Sequence, residues 1–147
     1  LAIMNVASEV GYGNVIAALP GFQTIAASVM DMSAGGSPLV SMAVTINILC
    51  GITGSASGGV SIALDLFGKY WMEWAATAGI TPDVLHRMAA IASGGLDTGP
   101  HNGAIITLLA VCGLTHRQSY PDIFVMTILK TLMVILALAF YAIFRIA

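Results

Sequence analysis

Ser93-Gly-Gly-Leu-Asp-Thr-Gly-Pro-His-Asn-Gly103 is the stretch on which the fold turns. Its glycines and its proline do not sustain a regular helix, yet apolar helical sequence flanks it on both sides. Upstream, Thr81-Pro82-Asp83 opens a helix, a cap residue followed by Pro at the first helical position, and the helix reads to about Ser93. Downstream, a second helix reads from about Ala104 to Cys112, with Gly113 as its stop. The first arm is twelve residues, roughly 18 Å, and a bilayer span needs about 20 residues. The segment 82–113 therefore reads as one broken transmembrane helix. Backbone unwinds at membrane depth only where protein or a water-filled cavity satisfies its polar groups, so the break predicts a cavity.

Composition agrees with a membrane setting. Hydrophobic residues make up 58% of the 147 and charged residues 8%, against about 25% charged in soluble domains; mean hydropathy is +0.93. A small soluble domain leaves too much surface in water to hide this composition. A soluble enzyme, a nucleic-acid binder and a disordered segment are excluded, and a net charge of −2 without a basic cluster points the same way. Cys50 and Cys112 have neither disulfide-framework nor metal spacing and read as buried, inert thiols. The chain begins at Leu1, already apolar, with no basic region and cleavage site of a signal peptide. It reads as part of a longer multi-pass protein whose partner is the lipid bilayer.

Other apolar stretches extend the pattern. Pro38 to Ile52 reads as a helix, Gly51-Ile-Thr-Gly-Ser-Ala-Ser-Gly-Gly59 interrupts it, and helix resumes near Val60. The segment 38–68 reads as a re-entrant helical hairpin with its tip at 53–59. Phe67, Tyr70, Trp71 and Trp74, mixed with Lys69 and Glu73, suggest that 69–80 lies at the membrane surface. Residues 1–31 read as a membrane helix kinked at Pro20-Gly21. Ser119-Tyr-Pro-Asp122 opens a full transmembrane helix over 121–146. Lys130, two turns in, either snorkels to the near interface or marks an ion pathway. The positive-inside rule puts 115–122 in the cytoplasm and 65–83 outside.

In each break a helix starts deep in the membrane, and helix N-termini carry partial positive charge and unpaired N–H groups. Two such ends near the midplane make an anion site. Thr53, Ser55, Ser57, Thr98 and Asn102 add hydrogen bonds suited to a small carboxylate bearing a hydroxyl. The competing reading is helix packing, because Gly54–Gly58 and Gly95–Gly99 each match G-x-x-x-G. Asp97 and His101 are ionisable groups inside the break, expensive there unless they line a polar interior. Asp97 suits proton carriage or a sodium ion; His101 suits proton relay or donation to the carboxylate. The bland alternative is that they pair with each other to hold the break. Glu9 fits either a coupling role or an interfacial end charge. No third ligand accompanies Asp97 and His101, so no metal site is expected.

The stretches Asn5-Val-Ala-Ser-Glu-Val-Gly-Tyr-Gly-Asn-Val-Ile16, Gly51–Gly59, Ser93–Gly103 and Leu109-Ala-Val-Cys-Gly-Leu-Thr-His116 resemble the C-terminal part of the gluconate permease family, in the ion transporter superfamily. Asp97-Thr-Gly-Pro-His-Asn102 is more similar to the branch for 3-hydroxybutyrate and related short-chain hydroxy acids. The resemblance implies an all-α, multi-pass protein of the bacterial inner membrane. This chain would supply the hairpin, broken helix and last span of the second of two inverted repeats, and would need the missing N-terminal repeat to fold. It implies that the tip (Thr53, Gly54, Ser55, Ser57, Gly58) and the break (Gly94, Gly95, Thr98, His101, Asn102) contribute to the substrate site. It also implies import of a small organic acid anion with protons rather than sodium, without a cofactor. Self-association into a homo-oligomer is open. The expected function is secondary active symport and not enzymatic. The alternatives are an intramembrane serine hydrolase using Ser57 and His101, and a passive channel.

Overall fold

The computed structural model describes residues 2–33 and 36–144. Among these there are seven helices and no strand: α1 (Ala2–Ala18), α2 (Pro20–Ser33), α3 (Pro38–Thr53), α4 (Ala56–Thr77), α5 (Pro82–Ser93), α6 (Gly103–Cys112) and α7 (His116–Phe144). Local chemistry sets most of their ends. Ser37 accepts from Val40 N–H and is followed by Pro38, which needs no donor in the first turn. Pro82 likewise opens α5, but Thr81 before it makes no side-chain cap bond, so Pro alone marks that start; Gly113 closes α6 in a left-handed conformation.

The core is built around α3. Eleven of its sixteen residues are buried, so it is covered on several sides rather than along one stripe. Leu39, Met42, Ala43, Ile46, Leu49 and Cys50 pack with Phe22, Ala26 and Met30 of α2, Ala63, Trp71 and Ala75 of α4, and Leu85, Met88 and Ala92 of α5. The α3–α4 approach is closest at Gly59, where a Cβ would lie 2.5 Å from Cys50 Cα.

The structure corrects several sequence expectations. The interruption between the hairpin arms is two residues, Gly54 and Ser55, not 53–59. Ala56-Ser-Gly-Gly59 forms the first turn of α4, because its glycines let that turn pack against α3. The second arm then runs unbroken for 22 residues, so 69–77 continues the hairpin helix instead of forming a separate surface segment. Trp71 is 1% exposed and its indole N–H donates to Ser41 Oγ at 3.2 Å. With Ala63, Phe67 and Ala75 it forms an inward stripe at four-residue spacing; Lys69, Tyr70 and Glu73 face outward.

The described residues before 34 form two helices, whose segments Gly11–Ala18 and Pro20–Asp31 meet at 82°, a sharp bend beside the expected kink at Pro20-Gly21. Pro20 lacks the N–H that would continue α1. The last helix starts at His116, before the expected Pro121, which lies inside it. Thr115-His-Arg-Gln118 caps it, Gln118 Oε1 accepting from Thr115 N at 2.9 Å. Cys112 is exposed, whereas Cys50 is buried.

α7 is long and apolar enough to cross a membrane: its 29 residues span about 43 Å. Val134 is the one buried residue in it, while Phe124, Ile128, Leu132, Ile135 and Phe140 stand about half exposed. A surface this apolar needs lipid or further protein against it. α6 is also apolar, with Val111 76% exposed and only Leu109 buried.

Candidate functional site

The α3–α4 turn is held by its own side chains. Gly54 adopts φ 64°, and its N–H donates to Cys50 O. The Thr53 hydroxyl is 1% exposed and donates to Leu49 O at 2.9 Å. Ser55 caps α4, accepting from Gly58 N at 3.1 Å, and its Oγ lies 3.3 Å from Ser57 Oγ. Thr53 and Ser55 thus serve the turn, and Ser57 is the exposed hydroxyl. Ser57, Ser61 and Asp65 recur every four residues and share one face of α4. With Ser55, Gly58 and Asn14 of α1 they line a polar cavity of about 210 Å³.

The α5–α6 break is equally internal. Asn102, 5% exposed, caps α6 by accepting from Ile105 N at 3.0 Å and donates its amide N–H to Asp97 O at 2.6 Å. Both ends of its side chain are therefore used. We expect Asn102→Ala to lower stability by about 1 kcal/mol or more, since it removes a cap and a second hydrogen bond. A thermal melt of the detergent-solubilised protein checks this, and an unchanged midpoint would show that the cap carries no weight. Gly94 ends α5, and Gly95 is buried against the Asn47 amide, which leaves no room for a Cβ there.

The break is fastened to α7 at three places, two of them one helical turn apart. Asp97 Oδ1 accepts from Lys130 Nζ at 2.5 Å, with the side chains 19% and 31% exposed. Thr98 Oγ1 lies 2.5 Å from Thr127 Oγ1. His116 Nε2 reaches Pro100 O at 3.0 Å. Lys130 is therefore turned to the break and does not snorkel away from it. Asp97 does not pair with His101.

The two breaks meet. The His101 ring lies over Gly54, where a Cβ would come within 2.5 Å of its Cδ2, and Gly51 lies against Leu96. The ring also meets Tyr12 of α1 edge-on, with centroids 6.4 Å apart. Ser55 and Asn102, the N-caps of α4 and α6, adjoin Gly54 and His101, so the two N-termini come near each other. This juxtaposition suits an anion by helix polarity. Ser57 and His101 make no hydrogen bond with each other among the described residues, so the nucleophile–base pair of a serine hydrolase is not assembled. The Glu9 side chain lies outside the described residues. A cavity of about 580 Å³ sits at the far end of α3 around Ser37, Gly79 and Tyr141, and contains none of the candidate residues.

Sequence reading missed Asn47 and the pairing of Lys130. Each left a signal: Asn47 is the one amide in 38–52, and Lys130 the one charge in 123–144. Asn47 is 7% exposed and its Oδ1 has no hydrogen-bond partner.

The uncharacterized transporter YxjC of Bacillus subtilis (strain 168) is similar to this chain. It is 51% identical over 142 residues, which are 97% of this chain and 30% of that protein. The chain thus spans about 30% of the length of this curated relative. No family model matches the chain, and no solved structure does.

Proposed function

We propose that this chain is part of a secondary active transporter that moves a small hydroxycarboxylate anion together with a proton. The observation that carries the reading is the contact of the two breaks through Gly54 and His101, which brings the N-caps of α4 and α6, Ser55 and Asn102, near each other. The similarity to a protein named a transporter supports it, as does the exposed apolar surface of α7. The resemblance to the gluconate permease family narrows the cargo to gluconate, 3-hydroxybutyrate or a related acid. On this reading the protein is a multi-pass component of the bacterial inner membrane. An N-terminal inverted repeat covers the surfaces left open here, and one repeat moves against the other to alternate access.

The test is uptake by the full-length protein in proteoliposomes, comparing gluconate, 3-hydroxybutyrate, lactate and citrate under an inward proton gradient. Accumulation of one or more hydroxy acids that collapses with a protonophore is the expected result. Uptake that ignores the gradient would make the protein a passive channel. Ser57→Ala is expected to raise the transport KM by roughly 10- to 150-fold, the equivalent of about 1.5–3 kcal/mol for one hydrogen bond to a charged group. An unchanged KM would remove the α4 turn from the substrate site.

A further inference from the structure

Asp97 and Lys130 are 33 residues apart in sequence, yet Oδ1 and Nζ are 2.5 Å apart in the fold. Each sits on an element otherwise poor in charge: Lys130 is the one charge in 123–144 and Asp97 the one Asp, Glu, Lys or Arg in 88–116. A pair in apolar surroundings costs desolvation that a pair of apolar residues would avoid, so its presence needs a reason beyond stability. A second observation stands beside it. Asn47 is packed on Gly95, two residues from Asp97, and its Oδ1 is buried without a hydrogen-bond partner. A buried acceptor on α3, left open against that break among the described residues, is a group still lacking a donor.

We propose that the Asp97–Lys130 pair is the exchange point for substrate and proton, with Lys130 as the residue that receives the substrate carboxylate. This inference rests on the anion-transport reading above. The incoming carboxylate displaces the Asp97 carboxylate from the Lys130 ammonium. Asp97, now without its cation, binds a proton from solvent. No covalent bond forms or breaks apart from the O–H bond of that proton. One anion and one proton enter, and the net charge of the site stays at zero before and after. Release reverses the order: the proton leaves Asp97, the carboxylate reclaims Lys130, and the substrate anion is expelled. The hydroxyl of a hydroxy acid supplies the donor that Asn47 Oδ1 lacks.

The titratable groups around the pair do not replace it. Cys50 on α3 lies within electrostatic reach of Asp97 but carries no charge as a thiol. His101, in the break, faces Gly54 and Tyr12. His116, at the start of α7, is bonded to Pro100 O. Lys130 is the formal cation that Asp97 contacts. On this proposal the cation that Asp97 takes up, once Lys130 has turned to the substrate, is a proton, and omitting sodium from the exchange assay checks it.

The experiment uses the full-length protein in proteoliposomes, with exchange of labelled 3-hydroxybutyrate and of gluconate measured across a series of pH values, with and without sodium. Asp97→Asn leaves Lys130 free at every pH. It is expected to lower the exchange KM at least about 3-fold, flatten its pH dependence, and reduce proton-driven accumulation at least about 10-fold. Lys130→Met is expected to raise the KM at least about 10-fold. Because that variant strands Asp97, the double variant Asp97→Asn/Lys130→Met, which leaves no unpaired charge, is measured beside it and should show the same raised KM without pH dependence. A wild-type KM in the double variant, or an Asp97→Asn variant that still accumulates substrate under a proton gradient, overturns the exchange while leaving transport itself intact. Wild-type protein that exchanges neither acid overturns both the exchange and the transport reading.

Discussion

Gly59→Val is expected to abolish folded protein in the membrane. A Cβ at Gly59 falls 2.5 Å from the Cα, N and Sγ of Cys50. Two of those atoms are backbone, so no rotamer change in α3 relieves the overlap, and the helices must part. α3 is the most buried helix and cannot retreat without disturbing its packing on α2 and α5. Overpacking costs about 1–3 kcal/mol where side chains can adjust; against backbone the cost is higher, and total stabilities are only about 5–15 kcal/mol. Even Gly59→Ala carries the clash. Gly11→Ala serves as the control, because nothing lies within 4 Å of a Cβ there. The readout is monodisperse detergent-extracted protein and its melting midpoint. Wild-type yield for Gly59→Val would mean that the hairpin arms are not packed as described.

Gly54→Ala is expected to have the second largest effect, for two separable reasons. The residue stands at φ 64°, where a non-glycine residue costs about 1–2 kcal/mol. Its new Cβ also meets the His101 ring at 2.5 Å. His101→Ala removes the second problem and leaves the first. In a double-mutant cycle on thermal stability, Gly54→Ala should therefore cost less in the His101→Ala background, with a coupling of about 1 kcal/mol or more. Additive effects would mean that the two breaks do not touch, and the shared anion region would lose its basis. Gly54→Ala alone should also lose transport, since it pushes apart the turn and the break that form the site.

Much of the helix plan is legible in the sequence because its signals are local. Pro38, Pro82 and Gly113 mark helix ends through φ limits and missing donors, and these act on the nearest residues whatever the tertiary context. The α5–α6 break is legible for the same reason. The hairpin tip is not, because low helix propensity extends over all of Ala56–Gly59. By propensity these residues end a helix, whereas packing of Gly59 on Cys50 makes them start one. The place of Trp71 is hidden for a different reason: aromatics beside charges look alike at a membrane interface and on an amphipathic helix. Only burial of the 63–67–71–75 stripe separates the two.

The candidate site divides along the same line. Thr53, Ser55 and Asn102 are residue types expected at a polar break, but the fold uses their side chains in caps and turns. Ser57 is left exposed beside Ser61 and Asp65, and His101 lies over Gly54. Nothing local in the sequence distinguishes these roles, because a cap and a ligand use the same oxygen atoms.

The amino-acid sequence by itself determined a chain of apolar helices with two polar interruptions, because composition and helix-end chemistry need no long-range contact. Only the tertiary structure decided that the interruptions touch at Gly54 and His101, that Asn47 meets Gly95, and that Asp97 is paired with Lys130 instead of His101. Those partners come from different helices, and a charge in an apolar setting takes whichever counter-charge the packing of α5, α6 and α7 brings within reach.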